Sequence, residues 1–261
     1  MQILRRGGEG DEVRRWQTFL VGQELLAGPI DGIFGPHTER ATRAFQKGAK
    51  LEVDGTVGPL TLAAALQRGF DPGFDDPHGG TSGVEWPPRP IFAALVSNAE
   101  REQLFGRFQY ERARPGSDDI RMLDDWQERN LVRVTLPQLE KVQGSPSSGR
   151  VWLHKKVVEQ TRALFDAWDR EGLVRLLLTW DGSFAPRFVR GSTVTLSNHA
   201  WGTAFDVNYE WNRLGALPAL RSRKGSLREL VPLANQYGFY WGGHFQGRAD
   251  GMHFEVARVL G

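Results

Sequence analysis

The chain has 261 residues, 33 Lys+Arg against 31 Asp+Glu for a formal net charge of +2, 40% hydrophobic residues and no cysteine. That length builds one or two domains with a sizeable core and excludes disorder as the dominant state. The absent cysteine excludes disulfides, thiolate nucleophiles and thiolate-ligated zinc, and no run reaches the roughly 18 apolar residues of a membrane span, the longest candidate, Leu173 to Leu178, being interrupted by Arg175.

Residues 1–10 carry charge without a following apolar stretch, so they do not read as a secretory signal. Val13, Trp16, Gln17, Phe19 and Leu20 then fall at helical spacing. Thr38, Ala41, Thr42, Phe45 and Gln46 repeat the pattern, and Pro59 to Leu66 reads as a third helix with proline in its first turn. The segment Asp31-Gly32-Ile33-Phe34-Gly35-Pro36-His37-Thr38 recurs 23 residues later as Asp54-Gly55-Thr56-Val57-Gly58-Pro59-Leu60-Thr61. In each copy Asp-Gly is expected to make a tight turn, the second glycine (Gly35, Gly58) to take positive φ, and the threonine to cap the next helix. Paired D-G-x-x-G-x-x-T turns resemble the peptidoglycan-binding domain of many wall hydrolases, a small three-helix module. The resemblance covers about residues 4–68 and implies bacterial peptidoglycan as partner, with Asp31, Gly32, Gly35, Asp54, Gly55 and Gly58 as wall-binding turns.

Between Asp71 and Pro90, nine of twenty residues are Gly or Pro without apolar periodicity. This reads as a linker, 71–90, between a front domain, 1–70, and a rear domain, 91–261. The rear domain opens with helix-like sequence from Ile91 to Phe108, a polar stretch and a loop from Gly144 to Gly149. An amphipathic helix follows, with His154, Val157, Val158, Thr161, Leu164, Phe165 and Trp168 on one face and Gly172 stopping it, so His154 reads as a core histidine. Leu173–Trp180, Ala204–Asn208 and Met252–Ala257 read as strands. Ser226-Leu227-Arg228-Glu229 has the form of a capping box opening a helix that ends near Tyr237 and Gly238, with Pro232 kinking it or marking its true first turn. Helices with short, separated strands give an α+β fold. The basic cluster Arg221, Arg223, Lys224 and Arg228 reads as a solvated loop, and no nucleic-acid partner is expected.

Without cysteine, a catalytic metal needs three His or carboxylate ligands. Of six histidines, two sit in unusual company: His199 in Ser197-Asn198-His199-Ala200-Trp201-Gly202-Thr203-Ala204-Phe205-Asp206, and His253 in Asp250-Gly251-Met252-His253-Phe254-Glu255. Period-two alternation turns Phe205 and Val207 to the core and Asp206 away from it, and likewise sets His253 and Glu255 opposite Phe254 and Val256. A bend at Gly202 is needed to bring His199 back toward Asp206. Spacing alone leaves two readings open, a metal site or a hydrogen bond across a loop.

The run Ser197 to Asp206 fits S-x-H-x-x-G-x-A-x-D, and Asp250 with His253 fits D-x-x-H. Both resemble the signature of zinc peptidases of the bacterial wall, which include D-Ala-D-Ala dipeptidases and carboxypeptidases and the L-alanyl-D-glutamate endopeptidases found as phage endolysins. The resemblance implies a hedgehog/DD-peptidase-like rear domain with one Zn2+ held by His199, Asp206 and His253, and Asp250 as general base. Asp rather than Glu as base, and Trp241-Gly242-Gly243 before it, point to the endolysin-type branch. An upstream arginine that holds substrate or the developing oxyanion falls on Arg187 or Arg190, the first preferred. Ser197, Trp201 and Trp241 are candidate substrate contacts; Trp201, Trp211 and Trp241 read either as groove or as core. Glu255 reads either as a carboxylate orienting a ligand or as an exposed strand residue. His244 has no counterpart in the motif, and His37 and His78 are expected in solvent.

The sequence thus reads as a wall-lytic enzyme, an endopeptidase on the stem peptide or cross-link. It is expected to act as a monomer without membrane insertion, made in the cytoplasm and reaching the wall at phage lysis. A D-alanyl-D-alanine carboxypeptidase and a non-catalytic wall-binding protein are the alternatives.

Overall fold

A computed structural model describes residues 3–70, 86–221 and 223–260. The front domain is three helices, α1 (Asp11–Gly22), α2 (Pro36–Gly48) and α3 (Pro59–Gln67). Their apolar faces close on Trp16, Phe19, Phe45 and Phe70, whose rings pack mostly edge to face at 5.3–5.5 Å between centroids.

The repeat has a structural logic that spacing did not reveal. Gln17 on α1 reaches Asp31 Oδ1 (2.7 Å), the Ile33 carbonyl (3.0 Å) and Thr38 Oγ1 (3.0 Å), while Gly32 N–H donates to its Oε1 (2.8 Å). Gln46 on α2 does the same one repeat later, to Asp54 Oδ1 (2.6 Å), the Thr56 carbonyl (2.9 Å) and Thr61 Oγ1 (3.0 Å), with Gly55 N–H donating back (2.8 Å). Each aspartate also accepts the N–H two residues on, and these bonds hold both carboxyls below the usual carboxylate range. Positive φ falls on the first glycine of each copy, Gly32 (78°) and Gly55 (76°). Gly35 and Gly58 are extended helix N-caps (φ −87° and −90°), and Thr38 and Thr61 lie inside the helices, bonded to the glutamines rather than capping. Gln46→Leu would remove four hydrogen bonds at once, stranding the buried Gly55 N–H and Thr61 hydroxyl, and is expected to lower the front domain's stability by about 2–4 kcal/mol in urea unfolding.

The rear domain contains α4 (Asn98–Phe105), β1 (Tyr110–Arg112), β2 (Ile120–Met122), α5 (Trp126–Asn130), β3 (Leu131–Thr135), β4 (Arg150–His154) and α6 (Val158–Arg170). There follow β5 (Trp180–Gly182), β6 (Ala204–Val207), α7 (Val231–Gln236), β7 (Phe239–Trp241) and β8 (His253–Val256). Two antiparallel hairpins, β1-β2 and β3-β4, flank a four-stranded antiparallel sheet in the order β5-β6-β8-β7. The mixed architecture is the α+β class that the sequence predicts. Both hairpins lie in the stretch where no strand was expected, and only α4 forms within 91–108.

Two further expectations are corrected. His154 ends β4 instead of opening a helix; it is buried, with Nε2 3.2 Å from the Phe105 carbonyl, and α6 starts at Val158. Leu173–Trp180 is a 3-10 turn (Val174–Leu176) and coil that becomes strand only at Trp180, because Asn208 Oδ1 takes the Leu178 and Thr179 N–H groups that a neighbouring strand would otherwise take. Pro232 does mark the first turn of its helix.

The two domains have separate cores, but Leu214 and Met252 of the rear domain join the front one. Leu217 N–H donates to the Gly69 carbonyl (2.5 Å), Phe70 bridges Ala216, and Leu214 packs on Gly22 of α1. The front domain is therefore seated on the 209–217 loop and on Met252, the residue immediately before His253. Residues 71–85 of the expected linker and His78 lie outside the described residues. Trp86 to Pro88 are docked on the rear domain: Trp86 packs on Trp241 and His244, and the Pro87 carbonyl contacts His244 Nε2 (3.0 Å). Arg228 is fully buried with its guanidinium over Trp86, so the basic cluster is not wholly solvated as expected.

His154 and His244 are both held neutral, their pKa lowered from 6.5 to about 4 by burial. The unfolded chain takes up these protons near 6.5 and the folded one only near 4, so stability present above pH 6.5 falls as pH drops toward 4. The slope is up to about 1.4 kcal/mol per pH unit for each histidine. Urea midpoints at neutral and acidic pH test this, with His154→Phe expected to flatten part of the acid limb.

Candidate metal centre

An aromatic layer fixes which face of the sheet carries chemistry. Phe205 of β6 stacks between Trp180 (5.6 Å) and Phe254 of β8 (5.5 Å). Alternation then turns Asp206 and His253 to the opposite face, where they stand directly across from one another in register. His199 comes from a 3-10 turn, Asn198–Trp201, that Ser197 opens by accepting the His199 N–H on its Oγ (3.3 Å). Gly202 ends the turn in the left-handed region (φ 65°), the bend the sequence requires. A Cβ there would come within 2.8 Å of Leu131 Cδ2 and 3.2 Å of the His154 nitrogen.

The three side chains converge. His253 Nδ1 lies 2.9 Å and His199 Nε2 3.1 Å from Asp206 Oδ1, and the two ring nitrogens are 3.1 Å apart. All three residues are buried. The outer nitrogens face acceptors: His199 Nδ1 the Ser183 carbonyl (2.9 Å), His253 Nε2 a Glu255 carboxylate oxygen (3.2 Å). A proton on each outer nitrogen leaves two imidazole lone pairs and a carboxylate oxygen crowded in one triangle, an arrangement that calls for a cation. Tetrahedral ligands at about 2.1 Å stand about 3.4 Å apart, so the triangle needs to open by only a few tenths of an ångström. Three protein donors are the number of catalytic sites; structural zinc sites close with four.

Electrostatics agree. Burial opposes ionisation of Asp206, but the two histidines outweigh it and hold the carboxyl far below its usual range. Burial likewise opposes a charge on His253, yet its bonds to Asp206 and Glu255 push the imidazole up to about 10.

Asp250 lies beside this cluster. Burial raises its carboxyl to about 6 against the pull of His253, Arg248 and Arg187, and its Oδ1 is buried without a hydrogen-bond partner among the described residues. Arg187 is the upstream arginine that meets the site: burial lowers its pKa, and Asp206 and Asp250 act on it from nearby. Arg190 is half exposed and paired with Asp118 at 3.4 Å.

Two of the sequence candidates for substrate contact do not line a groove. Trp201 and Trp241 are fully buried, their indole N–H groups bonded to the Gly106 (2.9 Å) and Gly251 (2.7 Å) carbonyls. Ser197 is buried and serves the His199 turn. Trp211 is half-buried beside Lys224, His244 is buried with its Nε2 on the Pro87 carbonyl, and His37 is exposed as expected. Sequence reasoning missed Arg248, within electrostatic reach of Asp250 and bonded to the Arg190 carbonyl (2.6 Å); its position two residues before Asp250 was the available signal. Asn198 and Arg101, which reach Glu255, were missed as well.

The rear domain matches the family described as D-alanyl-D-alanine carboxypeptidase over residues 190–256, and the front domain matches a peptidoglycan binding domain over residues 9–65. The chain is similar to an uncharacterized protein of Kitasatospora aureofaciens, 42% identical over 62 residues, 23% of this chain and 52% of that protein. A spore cortex-lytic enzyme of Bacillus cereus is 38% identical over 60 residues, 23% of each chain. Among solved structures, the SleB N-terminal domain is 35% identical, with 25% of this chain and 90% of that one covered and a TM-score of 0.25. The chain spans about half, and about a quarter, of the two curated relatives it matches. No described helix is long and apolar enough to cross a membrane.

Proposed function

We propose that this chain is a zinc-dependent peptidoglycan hydrolase that cleaves an amide bond in the stem peptide or cross-link of the bacterial wall, as a monomeric endopeptidase of endolysin type that meets the wall at phage lysis. The observation that carries the reading is the buried triangle of His199, Asp206 and His253 with Asp250 beside it, its buried Oδ1 without a hydrogen-bond partner among the described residues. Held by these ligands, one zinc ion supplies Lewis acidity that polarises the scissile carbonyl and acidifies a nearby water. Asp250 takes the proton of the attacking water and returns it to the leaving amine. Burial raises the Asp250 carboxyl above the ordinary aspartate range in the metal-free protein, and a carboxylate beside the ligand triangle is placed for both transfers. Arg187 donates to the oxyanion that forms on the carbonyl. The peptidoglycan-binding domain, through the 31–35 and 54–58 turns, keeps the catalyst on its insoluble substrate.

A second reading, a D-alanyl-D-alanine carboxypeptidase, is favoured by the pair Arg187 and Arg248 near Asp250, since guanidinium groups suit a free terminal carboxylate. Mass spectrometry of fragments released from purified peptidoglycan separates the two. New amino termini inside the stem peptide or cross-link support the endopeptidase, and loss of terminal D-Ala alone supports the carboxypeptidase. Wall binding without any released fragment would leave only a binding protein.

A further inference from the structure

Behind His253 lies a buried polar network with one acceptor at its centre. Glu255 Oε1 accepts the Leu95 N–H (3.0 Å), and Oε2 accepts from Asn198 Nδ2 and lies 3.2 Å from His253 Nε2. Arg101 of α4 locks the far side, donating from Nε to Asn198 Oδ1 (2.6 Å) and from a terminal nitrogen to the Leu95 carbonyl. Asn198, Arg101, His253 and Glu255 are all buried, at 2–6% exposure. Three donors therefore converge on the residue 255 side chain, and only a carboxylate accepts at both ends with no donor of its own. A glutamine would turn an N–H toward another N–H whichever way it was placed. Arg101 has two effects: it fixes the Asn198 amide so that its NH2 faces Glu255, and its charge offsets that of the buried carboxylate.

We infer that Glu255, held by Asn198 and Arg101, is a positioning residue that fixes His253 with its proton on Nε2 and its Nδ1 lone pair turned to Asp206 and His199, presetting the centre for a divalent metal. Asn198 immediately precedes His199, so the same network anchors the turn that carries the second imidazole. The inference rests on the metal-centre reading above and adds the element that selects the ligating nitrogen. Partners of this kind typically change metal affinity 10- to 100-fold.

The test is zinc binding to metal-free full-length protein in competition with a chromophoric chelator, for the wild type, Glu255→Gln and Arg101→Met, with thermal melts of the metal-free forms alongside. Glu255→Gln is expected to weaken zinc binding about 10- to 100-fold, to alter the visible spectrum of the cobalt-loaded protein, and Arg101→Met to shift both in the same direction by less. Lower melting temperatures with unchanged zinc affinity and cobalt spectrum would reduce Glu255 to scaffold and overturn the inference, leaving the metal centre intact. A wild type that binds no zinc would overturn both. If the variants do not fold, long-range proton–nitrogen correlation on zinc-loaded, 15N-labelled wild type decides: a proton on His253 Nε2 is expected, and a proton on Nδ1 overturns the assignment.

Discussion

Asp250→Asn is expected to lower the turnover number on purified peptidoglycan about 100- to 10,000-fold, the contribution of a positioned general base, while zinc content stays at that of the wild type. The amide keeps the shape of the carboxyl but cannot take a proton from water. The same substitution is expected to leave stability unchanged or raise it. In the metal-free protein folding holds the Asp250 carboxyl at about 6 against an ordinary 3.8, so above that range its charge weighs against the metal-free folded state. Kinetics, metal analysis and urea unfolding on one preparation check all three outcomes, and a variant that loses activity together with its metal would remove Asp250 from the role of base.

Asp206→Ala is expected to have a still larger effect, by another route. Asp206 supplies the only anionic donor of the triangle and is held as an anion by both imidazoles. Its loss leaves two neutral ligands, and zinc affinity should fall by well over the roughly 100-fold associated with residues that only orient ligands. Hydrolysis should vanish with it. Equilibrium dialysis against zinc buffers checks this; near-wild-type zinc binding by Asp206→Ala would mean that the cation sits elsewhere.

The parts of this structure that were legible in the sequence are those where one periodicity rules. The α1 and α2 faces, and the alternation that puts Asp206 and His253 behind Phe205 and Phe254, follow from single apolar layers. The Gly202 bend follows from the parity of the His199 to Asp206 spacing. What was not legible depends on partners distant in the chain. The strand-like run Leu173–Trp180 gives its Leu178 and Thr179 N–H groups to a side chain, Asn208, instead of a neighbouring strand. His154 keeps a helical spacing with α6 although it ends β4, because strand and helix meet the same core. The β3 strand is hidden by a burial pattern that does not alternate. Trp201 and Trp241, adjacent in sequence to the motifs, turn inward to satisfy their indole N–H groups on backbone carbonyls. Arg101 reaches the site across 97 residues to Asn198, beyond any local signal.

The claim on which the account turns is that the His199, Asp206 and His253 triangle holds the metal on which wall hydrolysis depends. Titrating zinc into metal-free protein while following release of soluble fragments from purified peptidoglycan tests it most directly. The account predicts that activity rises in proportion to added zinc, levels off at one equivalent, and fails to rise for Asp206→Ala. Full activity in protein stripped of metal, or equal recovery in Asp206→Ala, would contradict it.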